Sequence, residues 1–207
     1  MNQAIELSRE PVIQAGILGA TGSGYILHGP FSRREEADGC VVFTPQSPDC
    51  SFTLPEVKIG IGFHWERVEP QQFRGSLRIH PDGLMVNEVA LEEYLRSVIS
   101  SEMKSTAPIE FLKAHAIVSR SWLIAMLRRE RFGMEATGES HGAHSHITVD
   151  PEFGCREIIR WYDREAHTRF DVCTDDHCQR YQGISRGISP EVDRAVNETR
   201  GMVLLYG

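Results

Sequence analysis

The feature that most restricts what this chain can fold into is a change of hydrophobic period near Asn87. Before it, apolar residues come in short alternating runs; after it they recur every three or four positions. Val89, Leu91, Tyr94, Leu95, Val98 and Ile99 form one such stripe, which predicts a helix over 89–100. Asn87 stands where an N-cap is wanted. Ser100, Ser101, Glu102, Lys104, Ser105 and Thr106 then break the stripe, and Pro108 opens a second helix at a position that needs no backbone N–H. Ile109, Leu112, Ala116, Ser119, Leu123 and Met126 line one side of it. Phe111, Val118, Trp122 and Ala125 widen that side, predicting burial around most of the circumference. Glu102 is thereby expected on a turn between two packed helices. Beside Val98, Ile99 and Met103, its carboxyl is a candidate for desolvation, which favours the proton-carrying form. Such a group serves as a general acid near neutral pH; the competing reading is a solvated charge at a helix end.

Upstream, strands are expected over 12–18, 25–27, 41–44, 56–63, 74–80 and 84–86, separated by Gly, Pro, Ser and Asp. Pro81-Asp82-Gly83 is turn chemistry between the last two. Gly19-Ala20-Thr21-Gly22-Ser23-Gly24 lacks the Lys-Ser or Lys-Thr pair of a phosphate loop and reads as a hairpin turn. Downstream, 133–145 is a polar loop in which His141 and His144, with His146 just beyond, offer metal binding as an alternative. A helix is expected over 157–165, another from Ser189-Pro190 to about Glu198, and a strand over 202–206. The fold class is therefore α+β: a β-rich part over 1–86, then a core over 87–207 whose helix pair carries the acidic turn. The two parts read as one continuous domain from about residue 74.

Composition narrows the partners. At 207 residues, 41% hydrophobic and 25% charged, the chain has the make-up of a globular domain. Its net charge of -7 argues against nucleic acid, whose binding rests on neutralising phosphates. No apolar run approaches the ~18 residues of a membrane span, and the first residues lack the pattern of a signal peptide.

The five cysteines do not suggest a disulfide framework; Cys40 and Cys50 either pair or remain two thiols. The segment 167–178 is different, because it collects His167, Cys173, His177 and Cys178 with no helical or strand period. Two thiolates and two imidazoles are a standard structural zinc set. With all four bound, no position is left for water, so the ion would staple the loop.

The run 86–95 (VNEVALEEYL), then Val98-Ile99-Ser100-Ser101-Glu102-Met103, then 107–122 (APIEFLKAHAIVSRSW) resembles the SpoIID/LytB family, with its strand ending in VN, PLEdYL helix, SEMP turn and LKAQA helix. Lys104 stands where a Pro is common, and His115 replaces the usual Gln. The resemblance covers residues from about 74 to the C-terminus. It implies a peptidoglycan lytic transglycosylase in which Glu102 is the acid, and a zinc held by the His, Cys, His, Cys set. Ser119, Arg120 and Tyr181 are candidates to contact the sugar or pack beside Glu102, with a structural role as the competing reading of each. The resemblance also implies an extracytoplasmic location, and it implies a shortened form, since the family pattern continues into a Ser- and Gly-rich segment. Relatives proposed as non-catalytic peptidoglycan-binding or amidase-enhancing modules supply the main alternative, with a cell-wall amidase as partner. A zinc hydrolase using His141, His144 and His146 is the third reading.

Overall fold

The computed structural model describes residues 10–20, 22, 24–104, 106–132, 146–149, 156–159, 167–175 and 178–204, with backbone alone for 128–132, 146–149 and 156–159. In chain order the elements are β1 (Val12–Ile17), β2 (Ile26–His28), β3 (Phe31–Glu35), β4 (Val41–Pro45), β5 (Ser51–Ile59), β6 (Arg67–Phe73), β7 (Ser76–Ile79) and β8 (Met85–Ala90). The helix pair follows as α1 (Leu91–Glu102) and α2 (Ile109–Phe132). Then come β9 (His146–Val149), β10 (Arg156–Ile159), β11 (Val172–Cys173) and α3 (Pro190–Glu198). The architecture is α+β, as the change of period predicts.

A six-stranded sheet runs β11-β1-β8-β7-β4-β3, and a three-stranded sheet runs β2-β5-β6. β8 lies between β1 and β7, antiparallel to both, so the strand that feeds α1 is paired along both edges. Ile13, Ala15 and Ile17 of β1 and Met85 and Val89 of β8 are buried in one core with Tyr94, Leu95, Val98 and Ile99 of α1. Leu112, Ala116 and Leu123 of α2 and Val192, Ala195 and Val196 of α3 complete it. This packing fixes where α1 ends.

Several expectations are corrected. α1 starts two residues later than its apolar stripe, because Val89 still pairs with Ile13 and is buried as a strand residue. Asn87 is not the N-cap: it is fully buried in β8, where its Nδ2 donates to the Arg74 and Ser76 carbonyls. Capping comes from the chain's start instead. The Glu92 N–H donates to the Glu10 carboxylate and the Leu91 N–H to the Pro11 carbonyl, which satisfies donors that a helix leaves orphaned. On α2, Phe111 and Val118 are 48% and 54% exposed, so that helix is not enclosed around most of its girth. Residues 156–159 form a strand paired with β9 rather than the start of a helix, and 160–165 lie outside the described residues. Residues 202–204 follow Gly201 (φ 72°) without strand structure. β3 and β6 have no counterpart among the expected strands. The expected cap of α3 is present, with Ser189 Oγ accepting from the Val192 N–H. Cys40 and Cys50 are both free thiols.

The segment after β11 is keyed to the edge strand β6. The Ile184 N–H donates to the Gln72 carbonyl at 2.8 Å, and the Gln72 N–H donates to Ser185 Oγ at 2.7 Å. Gly183, at φ 59°, lies so close that a Cβ there would sit 2.1 Å from the Gln72 oxygen, so only glycine fits.

Candidate functional site

Glu102 is the last residue of α1, and 29% of its side-chain surface is open to solvent. Its two oxygens have different partners. Oε1 accepts the backbone N–H of Arg180 at 3.1 Å. Oε2 lies 3.1 Å from Nε2 of His115, which α2 presents one turn after Phe111. The acid stands where the two helices meet, as expected, but it and Met103 are open to solvent, so the expected desolvation is not what the chain builds. The other imidazole nitrogen, Nδ1, is buried with no hydrogen-bond partner among the described residues. Phe111 lies against the ring, with centroids 6.5 Å apart.

Arg180 does two things at once. While its amide meets Glu102, its guanidinium lies over Trp65, 4.8 Å from the ring centroid. Trp65 in turn stacks with Phe63 at 5.7 Å and 19°. Neither ring carried a signal in the sequence, and a backbone amide has no side-chain signature to read. Only the fold brings the β5–β6 connection to the segment that holds the acid.

Ser119, Arg120 and Tyr181, expected as sugar contacts or packing neighbours, are all buried, at 2–3% exposure. Arg120 makes a bidentate pair with Glu92, at 3.0 and 2.7 Å, and also donates to the Met202 carbonyl. The Tyr181 hydroxyl donates to Asn87 Oδ1 at 2.6 Å, and its ring stacks on Tyr94 at 4.8 Å. Burial pushes the phenol's pKa well up, so it remains a donor. The Ser119 carbonyl accepts from Gln179 Nε2. All three are buried and bonded within the fold, and Arg120 meets Glu92 at the far end of α1 from Glu102.

Two residues before Arg180 lies the cysteine cluster. The ligand atoms of His167, Cys173 and Cys178 all fall within 4.8 Å of one another, with Cys178 Sγ 3.4 Å from His167 Nε2. Zinc bonds of ~2.3 Å to sulfur and ~2.0 Å to nitrogen place ligand atoms slightly under 4 Å apart in a tetrahedron, so these residues fit a metal with small side-chain movement. The neighbouring Cys178 sulfur and burial raise the Cys173 thiol's pKa. β11 pairs parallel to β1, Gly16 opposite Cys173, and Phe170 packs over Gly16, where a Cβ would meet its ring. The cluster is thus anchored to the main sheet. His177, the fourth expected ligand, lies outside the described residues, as do His141 and His144; His146 falls within β9.

Sheet, helix pair, surface acid and Cys/His group together define an α+β protein with a potential metal site beside its candidate acid. The SpoIID family model, described as Stage II sporulation protein, matches residues 82–206, more than half of the chain, and the chain belongs to that family. No curated protein and no solved structure matches it. Membership is consistent with a role connected to the cell wall. No helix among the described residues is long and apolar enough to cross a membrane.

Proposed function

We propose that this chain is a lytic transglycosylase acting on peptidoglycan glycan strands outside the cytoplasm, with Glu102 as its single acid and base. The observation that carries this reading is the asymmetric setting of the Glu102 carboxyl, accessible at the end of α1 with one oxygen held by an amide and the other facing an imidazole. Glycoside hydrolysis ordinarily needs a second carboxylate to handle water. Here the second nucleophile is the sugar's own hydroxyl. Glu102, protonated on Oε2, gives its proton to the glycosidic oxygen as the bond from that oxygen to the anomeric carbon breaks. The C6 hydroxyl of the N-acetylmuramoyl residue then bonds to the anomeric carbon, and its proton passes to the Glu102 carboxylate. The product carries a 1,6-anhydro end, and the acid is restored for the next cycle.

His167, Cys173 and Cys178, with His177, would hold a structural zinc. With four protein ligands the ion would supply cross-linking and leave no open position for chemistry. Ser119, Arg120 and Tyr181 support the helix pair from within the fold.

The test is digestion of purified sacculi followed by mass analysis of the fragments. Anhydro-muropeptides are expected from the parent chain and not from Glu102→Gln. Full production by that variant defeats the assignment of the acid. Glycan binding with no anhydro ends from the parent chain would instead make this a binding or amidase-enhancing module, with a cell-wall amidase as its partner.

A further inference from the structure

The β5–β6 connection spends its sequence on holding two aromatic rings in place. Gly60 (φ 65°) and Gly62 (φ 80°) adopt conformations that favour glycine. The Phe63 N–H donates to the Gly60 carbonyl, and the Glu66 N–H to the Phe63 carbonyl. The Glu66 carboxylate accepts the Gly62 N–H at 2.9 Å and pairs with Lys58 at 3.4 Å. Trp65 lies directly on Gly60, where a Cβ would come within 2.3 Å of its ring. The tip is therefore tied through backbone, carboxylate and ring packing, yet Phe63 is left 51% exposed. An exposed phenylalanine contributes little to this fold, and fixing it in advance lowers the ordering cost of whatever binds it.

Position says what that ligand is. The Arg180 residue that covers Trp65 with its guanidinium also binds Glu102 with its amide. One arginine thus links the rings to the acid: its amide lies 3.1 Å from Glu102, its guanidinium 4.8 Å from the Trp65 centroid, and the side chain between them spans at most ~7 Å. A polysaccharide held at Glu102 for cleavage has further sugar units on either side. A pyranose ring presents axial C–H groups on its faces, apolar and slightly positive, and these suit the negative face of an aromatic ring. A charged or purely polar ligand would have no such use for a phenylalanine.

We propose that Phe63 and Trp65, braced by Arg180, form a stacking subsite for an N-acetylhexosamine unit of the glycan strand, remote from the bond that is cut. This deepens, and rests on, the reading of Glu102 as an acid acting on glycan. The subsite grips an uncharged sugar face, so it contributes to strand affinity and to the preference for longer strands, while the proton chemistry stays at Glu102.

The experiment measures binding of purified peptide-free glycan strands to the Glu102→Gln chain, so that no turnover intervenes. Adding Phe63→Ala is expected to weaken binding about three- to tenfold, the range of a single aromatic contact, with an unchanged melting temperature. Phe63→Tyr should restore it, and Trp65→Phe, which keeps a ring over Gly60, should lie between. Unchanged binding in Phe63→Ala, with the parent still producing anhydro ends, overturns the subsite and leaves the proposed function standing. Weakened binding with no anhydro ends from the parent upholds the subsite and removes the catalytic reading. If the parent binds no glycan, both fall.

Discussion

Helix α1 carries a glutamate near each end, and the two have opposite fates. Glu92, in the first turn, has 7% of its side-chain surface exposed and both oxygens on the guanidinium of Arg120. It also accepts the Gly201 N–H, so it ties α1, α2 and the stretch after α3 at one point. Glu102, at the last residue, has 29% of its side-chain surface exposed and meets a histidine and an amide instead. Both answer to α2, through Arg120 and His115. A buried carboxylate matched by a permanently charged fork cannot exchange its proton without leaving a charge unpaired. A carboxylate open to solvent and outside such a fork is free of that constraint. The same residue type on the same helix is thus a rivet at one end and, on the proposed function, a reagent at the other.

That contrast can be broken from either side. Glu102→Gln should cost about 10²- to 10⁴-fold in anhydro-product formation, the usual weight of a general acid, while urea unfolding moves by less than ~1 kcal/mol. Arg120→Ala should do the reverse, losing roughly 3–5 kcal/mol of stability by stranding a buried charge. The paired change Glu92→Leu with Arg120→Met should recover most of that in the same unfolding measurement, because both charges leave together. If Arg120→Ala unfolds no more easily than the parent, the rivet reading is wrong.

Smaller effects sharpen the picture. Stripping metal with a chelator should lower the melting temperature by on the order of 10 °C, from the mass-action stabilisation lost with a tightly held ion, and added zinc should restore it. Tyr181→Phe leaves the buried Asn87 oxygen without its donor and should cost about 1–3 kcal/mol by denaturant titration. The mildest change is His115→Gln, which keeps a side-chain donor toward Glu102. Product formation should stay within about threefold of the parent, which corresponds to roughly 0.7 kcal/mol. A much larger loss would show that the imidazole's own proton takes part.

The helix pair and the acid at its corner were legible because period and motif are local properties. A carboxylate at the end of an apolar stripe remains there whatever packs around it. Asn87 was misread for the opposite reason: its use depends on Arg74, Ser76 and Tyr181, the last of them far along the chain. β6 escaped notice because Arg67–Phe73 shows only Val68 and Phe73 as apolar landmarks and is held by β5 on one side and residues 183–185 on the other. Phe111 and Val118 were expected inside on hydrophobicity alone, but α2 turns only the Leu112, Ala116 and Leu123 side to the core. The Phe63–Trp65–Arg180 stack joins residues more than a hundred positions apart, and no spacing announces it.

Residues 180–186 are fastened to the hairpin at both ends and in the middle. Arg180 grips Trp65, Gly183 and Ile184 are seated on Gln72, and Arg186 reaches Glu69 at 3.5 Å. The ribbon and the hairpin are thus joined at three points along their length. If the rings hold a glycan strand as proposed, the same arginine that touches them also carries the amide that meets Glu102, so grip on the strand and the setting of the acid would be coupled through one residue.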